Sequence, residues 1–558
     1  MVETADLIVT NARIITAERA SPRAEAIAVA HGMLLAVGSA SEAERFHGPE
    51  TLVQDARGAV IMPGFVDVHN HHAHAGKADL FELTFSASDP LERVIDAVHD
   101  YADQLGPADW VVGSSWGTGL LDELSRVSAR LALDAASGGR PVLLTDDSHH
   151  NRWANTRALE LAGITRDTPD PQGGVIVRDP ATGEPTGVLL EAAGLLVEST
   201  ALRSSRLTPA QHEDASERAI GILHSFGITA FQDAAVSLET MRALHALDRR
   251  GMLAAWVVSS MTVNDQIFGY DTIGDELIAQ GERYRSPHHR PDFVKIFLDG
   301  TPPARTGAFL RPYLPDADHG DHYHGSPTMS PDELLGWLQR TARLGISAKI
   351  HCTGDASVRM VLDAVQIVRA EGHHDVRYQI AHGQFISPED LPRLAELDVA
   401  ADISPFLWFP GVIADALRRV RPTGEVAGLQ PNRSLIDSGA LVAGGSDWPV
   451  SETPNAWEGI QGLVTRMDPR GEHPGSLGPD EAITLAEAIE VFTVNGANAM
   501  GLGDVTGSLR PGKSADFVVV DRDPYETPPS ELAGIRIVET RFAGKSVFRA
   551  DARDPLEN

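Results

Sequence analysis

The sequence predicts an α/β fold whose centre is a (β/α)₈ TIM barrel, accompanied by a small β-sandwich domain built from both termini and by an inserted cap subdomain. Eight short apolar segments follow one another as candidate strands, and amphipathic runs such as PDELLGWLQRTARL lie between several of them. Apolar residues recur in these runs at intervals of three and four, as in helices. This alternation indicates a parallel sheet, although a doubly wound open sheet would fit the same pattern.

Short strands with turns are predicted at both ends of the chain. ADLIVTNARII and EAIAVAHGMLLAVG lie near the N-terminus, and GSLRPGKSADFVVVDRD and GIRIVETRFAGKSVF lie near the C-terminus. Their apolar residues alternate with polar ones and are punctuated by Gly, Asn and Asp, which is typical of hairpins. We therefore expect residues 1–59 and 505–558 to pair into one β-sandwich domain. An independent C-terminal β-unit is the alternative.

The barrel is expected to occupy residues 60–504. Its eight strands are predicted at 60–69, 228–233, 253–260, 292–300, 346–352, 377–383, 397–404 and 440–447. Nearly 160 residues separate the first two strands, which is too long for a loop in a compact domain. Residues of about 76–205 are therefore predicted to form a cap subdomain over the barrel mouth.

The composition excludes several classes of function. With 47 basic and 78 acidic residues the net charge is −31, so that nucleic acids and anionic membranes would be repelled. The sequence contains neither an apolar run of membrane-spanning length nor a secretory signal pattern, and a cytoplasmic protein is expected. The single cysteine, Cys352, excludes an internal disulfide and a thiolate zinc site.

Metal-binding residue types stand at the carboxyl ends of the predicted strands, where the active sites of such barrels lie. They are Asp67, His69, His71, Lys295, His351, His382 and Asp447. Imidazole and carboxylate are ligands that zinc and its first-row neighbours accept, and a catalytic site keeps a position open for water. Alternate residues of a strand point the same way, so His69 and His71 can bind one ion together.

Each of these residues has an alternative role when it is taken alone. The tract HNHHAHAG contains a rival pair, His72 and His74, but His69 and His71 continue the alternation of the apolar strand. Asp447 could cap a helix, because GGSDWPVSETP is rich in turn residues. The succession of metal-type residues on five strand ends favours one shared site.

Lys295 interrupts the apolar run FVKIFL. An unpaired ammonium would be costly to bury there, so a buried lysine is usually functional or neutralised. A desolvated amine can be modified to a carbamate that binds metal. The position of Lys295 therefore indicates a role in the same site.

Five segments carry a resemblance to a known family. GFVDVHNHH, VKIFLDGT, KIHCTGDASV, YQIAHGQFI and GGSDWPV resemble, in this order, signatures of the amidohydrolase superfamily and specifically of its YtcJ-like branch, which includes N-substituted formamide deformylase. DDSHHNRWANTRALELAGI and PTGVLLEAA are similar to the cap region of that branch. The resemblance extends over essentially the whole chain. It implies a metal-dependent hydrolase acting on C–N bonds other than peptide bonds, and a homodimer.

Carried over by position, the resemblance makes His69 and His71 ligands of a first ion. Asp447 becomes a further ligand and the proton shuttle. Asp67 is expected to orient the histidine pair without binding the ion. Zinc is the expected metal, with manganese or iron as alternatives.

The same resemblance implies a second ion. Lys295, as N6-carboxylysine, would bridge the two ions, and His351 and His382 would be ligands of the second. Members of the family use one or two ions. If Lys295 is unmodified, a single ion is expected, and His382 or His351 would act in catalysis by polarising the substrate.

The expected substrate is a small N-substituted amide or formamide. A cyclic amide or a lactone is the alternative substrate, and an inactive scaffold protein is the alternative from outside the enzymes. Several side chains are candidates for the substrate pocket, although core packing is the alternative for each aromatic one. They are Trp116, His150, Trp153, Asp233, Arg305, Tyr313, Trp408 and Trp448.

Overall fold

The structure is a computed structural model that describes residues 4–147, 149–171, 173–204, 206–316 and 319–550. In chain order its strands are β1 Leu7–Thr10, β2 Arg13–Ile15, β3 Arg23–Ala24, β4 Ala26–Ala30, β5 Met33–Gly38, β6 Leu52–Asp55, β7 Val60–Pro63, β8 Phe65–Asn70, β9 Leu83–Thr84, β10 Val111–Trp116, β11 Val142–Asp146, β12 Arg152–Ala154, β13 Gly174–Arg178, β14 Pro185–Glu191, β15 Ile228–Val236, β16 Trp256–Thr262, β17 His289–Phe297, β18 Ser347–Cys352, β19 Tyr378–His382, β20 Val399–Ile403, β21 Val442–Gly444, β22 Phe517–Val520, β23 Ile537–Phe542 and β24 Lys545–Arg549.

The helices lie mainly between these strands. They are α1 Ala40–Glu44, α2 His72–Phe81, α3 Leu91–Ala102, α4 Leu121–Leu124, α5 Val127–Ala136, α6 Thr156–Leu161, α7 Leu195–Ser204, α8 Pro209–Ser225, α9 Leu238–Arg249, α10 Gly274–Gly281, α11 Pro331–Arg343, α12 Asp355–Ala370, α13 Leu391–Glu396, α14 Val412–Val420, α15 Thr423–Ala427, α16 Asn432–Asp437, α17 Ala456–Thr465, α18 Leu485–Val491 and α19 Val494–Ala499. Helix α11 begins where the sequence predicts it, because Ser330 caps its backbone and Glu333 completes a capping box. Among the described residues, no helix is long and apolar enough to cross a membrane.

Eight parallel strands form the central sheet, in the order β8, β15, β16, β17, β18, β19, β20 and β21. Its two edges meet just beyond β21, where the amide of Asp447 donates to the carbonyl of His69 at 2.6 Å. The amide of His71 donates to the carbonyl of Trp448 at 2.8 Å beside it. The predicted TIM barrel is confirmed, and the open doubly wound sheet is excluded because the first and last strands are neighbours.

The first predicted barrel strand, 60–69, is in fact two strands. β7 pairs antiparallel with β22 of the C-terminal segment, whereas β8 enters the barrel beside β15. Gly64 joins them, and a Cβ atom there would lie 2.6 Å from Cγ2 of Thr229 and closer still to its Oγ1. A single apolar run therefore contributes strands to two sheets. The chain passes from one sheet to the other at Gly64, where Thr229 lies too close for any side chain.

Strands from both ends of the chain share one sheet. β22, β23 and β24 lie beside β7, β2 and β3, and a second sheet contains β5, β4, β1 and β6. Apolar side chains of both sheets, among them Ile14, Ile27, Ile61 and Phe517, form a common core. This pairing favours a shared β-unit over an independent C-terminal one. The bounds 1–59 and 505–558 stay a prediction, and residues 1–3 and 551–558 lie outside the described residues.

The segment between β8 and β15 contains its own mixed sheet, in the order β13, β14, β12, β11, β10 and β9. Trp116, Leu133, Leu144 and Trp153 belong to a separate apolar core on this sheet. We refer to the sheet and its helices α3–α6 as the inserted subdomain. That it acts as a cap with bounds near 76–205 stays a prediction, and residues 148, 172 and 205 lie outside the described part of the chain.

Candidate metal centre

His69 and His71 project from the end of β8 towards Asp447, which follows β21. The Nε2 atom of His69 lies 3.5 Å from Oδ1 of Asp447, and Nε2 of His71 lies 3.4 Å from the same oxygen. One ligand atom from each of the three residues lies within 4.8 Å of the others. Ligands bound tetrahedrally at about 2.1 Å stand roughly 3.4 Å apart, so these separations fit three ligands of one ion.

The backbone around Asp447 brings its carboxylate to the histidines. Asp447 adopts a φ of 59°, in the left-handed region, and its amide is bound to the His69 carbonyl. Two residues earlier, a Cβ atom on Gly445 would lie 2.7 Å from the amide nitrogen of His69 and closer still to its Cβ. The glycine pair of GGSD thus allows the last barrel strand to pass directly against the first.

Two further imidazoles complete the cluster. His351 ends β18 and His382 ends β19, and their ring centroids lie 4.7 Å apart. The ring of His382 lies 4.8 Å from that of His69. Burial lowers the pKa of His69, His351 and His382 well below 6.5, so all three are neutral near pH 7, as metal ligands must be.

Lys295 projects from β17 beside these imidazoles and is 1% exposed. Burial, together with the neighbouring Lys349, lowers the pKa of Lys295 to about 8. Its Nζ lies 4.8 Å from the ring centroid of Phe297, and among the described residues it forms no ion pair or hydrogen bond. A fraction of this amine is therefore neutral near pH 7.

Several nitrogen atoms of the cluster lack partners. Nε2 of His69 and Nδ1 of His71 and His382 are buried and have no hydrogen-bond partner within the described residues. Burying such groups without a partner is unfavourable unless something else satisfies them. The orphaned Nε2 of His69 also faces a carboxylate at more than hydrogen-bond distance. This donor set fits a divalent ion.

Burial acts to raise the pKa of Asp447, but the imidazoles of His69, His71 and His382 outweigh it and hold the pKa below its ordinary value. The carboxylate is therefore ionised across the neutral range. Asp67 has a different environment. It accepts hydrogen bonds from the amides of His69 and Ser446 at 3.0 and 2.9 Å, so it ties the first strand to the last.

The rival histidine pair is engaged elsewhere. Nδ1 of His72 lies 2.6 Å from Oδ2 of Asp233, and both side chains are buried. His74 is hydrogen-bonded to the hydroxyl of Tyr270 at 2.6 Å and stacks on Phe268 at 4.5 Å. Asp233, a predicted pocket residue, is thus paired with a histidine rather than directed at the centre.

Other predicted pocket residues are buried or engaged in contacts within the protein. Trp116, Trp153 and Trp408 have no exposed surface, and Trp116 donates to the carbonyl of Leu144. The hydroxyl of Tyr313 donates to the carbonyl of Gly307 at 2.8 Å. Arg305 is paired with Asp316 at 2.8 Å. Trp116, Tyr313 and Arg305 thus each have a structural contact, and a pocket role for all five residues stays a prediction.

Two predicted pocket residues do lie beside the centre. Trp448 follows Asp447 directly, and its carbonyl binds the amide of His71. His150, from the inserted subdomain, has its ring centroid 6.0 Å from that of His351 and its Nδ1 2.8 Å from Oε2 of Glu191. Burial acts to lower the pKa of His150, but Glu191 outweighs it and raises the pKa.

Phe268 and Phe297 are neighbours of the centre that sequence reasoning missed. Their rings lie 6.1 Å apart, with Phe268 5.3 Å from His71 and Phe297 5.8 Å from His351. They form an apolar wall along one side of the imidazoles. Phe268 stands in a loop without a regular pattern, so no sequence signal indicated it, whereas Phe297 follows Lys295 on the same strand.

Asp402 and Lys349 were missed as well. Nδ1 of His69 lies 2.8 Å from Oδ2 of Asp402, and Lys349 is hydrogen-bonded to the same oxygen. Both residues interrupt apolar strands, Lys349 in SAKIHC and Asp402 in VAADI. A charged residue inside an apolar strand is the signal that indicated Lys295, and it could have found these two.

The chain is similar to known proteins in sequence and in fold. Residues 52–548 match the model of the Amidohydrolase family. The chain is 30% identical to an N-substituted formamide deformylase of Arthrobacter pascens over 98% of each chain, and 30% identical to YtcJ of Bacillus subtilis over 94% of this chain and 96% of the other. A crystal structure of an uncharacterized metal-dependent hydrolase from Pyrococcus horikoshii matches with a TM-score of 0.74 at 22% identity, covering 94% of this chain and 99% of the other.

Proposed function

The chain belongs to the amidohydrolase family, and from this premise we propose that it cleaves a small N-substituted amide or formamide into a carboxylic acid and an amine. It is a metal-dependent hydrolase of that family. The observation that carries the proposal is the approach of His69, His71 and Asp447, with one ligand atom of each within 4.8 Å of the others. The similarity to a formamide deformylase supports this substrate class over a cyclic amide or a lactone.

His69, His71 and Asp447 would hold the ion, for which zinc is proposed because its preferred ligands are imidazole and carboxylate. When bound, such an ion is a Lewis acid that lowers the pKa of water from about 15.7 to about 7. Asp447 accepts the proton of the attacking water and returns it to the leaving nitrogen, which departs as an amine. His382 and His351 would polarise the substrate carbonyl or bind a second ion.

Lys295 would serve that second ion as N6-carboxylysine. A neutral amine adds carbon dioxide and loses a proton to form a carbamate, and the lowered pKa of Lys295, caused first by burial, favours the neutral form. The carbamate would also replace an ammonium that has no carboxylate partner among the described residues. High-resolution mass spectrometry under native conditions tests this modification.

A substrate held beside the centre would meet an apolar and a polar side. Phe268 and Phe297 would contact the apolar substituent of the substrate nitrogen, and His150, bound to Glu191, would donate a hydrogen bond to its polar end. The net charge of −31 supports a small molecule rather than a nucleic acid as the partner. A cytoplasmic location and a homodimer stay predictions.

The experiment that tests the function combines metal analysis with a substrate screen. Purified protein is supplemented with zinc, manganese or iron and assayed against formamides, anilides, hydantoins and lactones, with released amine or acid as the readout. We expect at least about one ion per chain and hydrolysis of formamides or anilides. A metal-replete protein that opens only hydantoins or lactones would contradict the substrate class. A protein that retains no metal would instead indicate an inactive scaffold.

A further inference from the structure

We propose that Asp402 and Lys349 are positioning residues that orient His69 for metal binding; the proposal rests on the metal centre of the proposed function. The three side chains form a continuous buried chain inside the barrel. Nδ1 of His69 lies 2.8 Å from Oδ2 of Asp402, and Nζ of Lys349 donates a hydrogen bond to the same oxygen. Lys349 is 0% exposed and Asp402 is 1% exposed.

The contact with Asp402 selects one form of the His69 ring. A neutral imidazole carries one N–H, and an ionised carboxylate only accepts hydrogen bonds, so Nδ1 of His69 must donate to Asp402. Nε2 is then the nitrogen with the free lone pair, and Nε2 is the atom that faces Asp447 at 3.5 Å. A carboxylate behind a metal-binding histidine fixes its tautomer and orientation in this way.

Among the imidazoles of His69, His71 and His382, only that of His69 has such support within the described residues. Nδ1 of His71 and Nδ1 of His382 lack a hydrogen-bond partner within the described part of the chain. Of these three rings, that of His69 is the one held from behind by a carboxylate. Loss of this support should weaken metal binding by the centre even in a variant that still folds.

Lys349 acts through Asp402. The two residues come from β18 and β20, which are separated by β19, and they meet in the barrel interior without access to water. A carboxylate enclosed in this way requires a cation, since one buried charge without a partner is strongly unfavourable. The ammonium of Lys349 keeps Asp402 ionised and fixes the oxygen that receives the His69 N–H.

Metal affinity of the zinc-loaded holoenzyme tests the proposal. Wild type, Asp402→Asn and the double variant Lys349→Met with Asp402→Leu are titrated with a chelator of known zinc affinity, and the unfolding temperature of each is recorded. We expect both variants to bind zinc about 10–100-fold more weakly. The double variant leaves no buried charge unpaired, so it keeps the fold if Asp402→Asn loses it.

Asp248→Asn is the matched control. Asp248 is also a buried carboxylate on a histidine, with its Oδ1 2.8 Å from Nδ1 of His288. It lies at the end of α9, and His288 directly precedes β17, so the pair is at the amino ends of the barrel strands, opposite the centre. The zinc affinity of this variant should equal that of wild type. Folded Asp402 variants that bind zinc within twofold of wild type would overturn the proposal. Failure of the wild-type protein itself to bind zinc would instead refute the metal centre.

Discussion

The three residues that would bind the first ion, His69, His71 and Asp447, follow the two edge strands of the barrel sheet, β8 and β21. Asp447 reaches His69 and His71 because Gly445 lets the backbone after β21 pass close to His69. A Cβ atom on Gly445 would lie only 2.7 Å from the amide nitrogen of His69. The carboxylate faces both Nε2 atoms, and its pKa is held below the ordinary value by the surrounding imidazoles. The carboxylate is therefore ionised, as both roles proposed for it, metal ligand and proton acceptor, require.

This dual position leads to a prediction for Asp447→Asn. The amide keeps an oxygen that can contact the ion but is a poor base, so zinc content should persist while kcat falls roughly 10²-fold or more. Zinc content by elemental analysis and kcat on a formamide substrate check both parts. Asp248→Asn, a buried carboxylate remote from the centre, should keep its activity. Near-wild-type turnover in Asp447→Asn would remove the residue from its catalytic role.

At the scale of elements, the junction of β7 and β8 decides whether the β-unit and the barrel fit together. β7 pairs with β22, and β8 places His69 and His71 in the barrel. Gly64 lies between them, where Thr229 leaves no room for a side chain. The segment that carries His69 and His71 is thus anchored on both sides, by the β-unit before it and by β15 beside it.

Gly64→Ala should destabilise the protein by about 1–3 kcal/mol, the range for overpacking a filled site. A methyl group would lie 2.6 Å from Cγ2 of Thr229, a branched side chain that cannot swing away. Chemical denaturation measures the change. Gly119→Ala serves as the control, because a Cβ atom there has no neighbour within 4 Å. Adding Thr229→Ala to Gly64→Ala should restore part of the stability, and equal stability of both alanine variants would contradict the crowding.

The sequence predicted the barrel strands because each is a short apolar run, and five of them carry metal-type residues at or near their ends. It could not separate β7 from β8, since both halves of one apolar run look alike and their partners lie far apart in the chain. Phe268 was missed for a similar reason, and although a charge inside an apolar strand marks Asp402, its partner His69 could not be read from the sequence. Contacts between distant segments leave no local periodicity, and only closure of the barrel brings them together.

At the scale of the whole molecule, a metal that joins the first and last barrel strands should stabilise closure. An ion that binds only the folded chain adds about 2.7 kcal/mol when its free concentration is 100 times its dissociation constant. Removing zinc with a chelator should therefore lower the unfolding temperature, and adding zinc back should restore it. His71→Ala should show a smaller difference between the two states. An unfolding temperature that is indifferent to the chelator in wild type would contradict this coupling.

Stability should also fall in mild acid because the fold buries neutral histidines. Burial lowers the pKa of His289 to about 4, and both ring nitrogens of His289 lie within 3 Å of a partner, Tyr284 or Ser259. Above about pH 6.5 this residue is neutral in the folded and unfolded chains alike; below that pH the unfolded chain binds the proton first. The free energy of unfolding should therefore decrease by up to about 3 kcal/mol between pH 6.5 and 4 on account of His289. The free energy of unfolding of His289→Gln, measured by denaturation at several pH values, should decrease less between pH 6.5 and 4 than that of wild type. If the free energies of both proteins decrease equally with pH, His289 does not contribute.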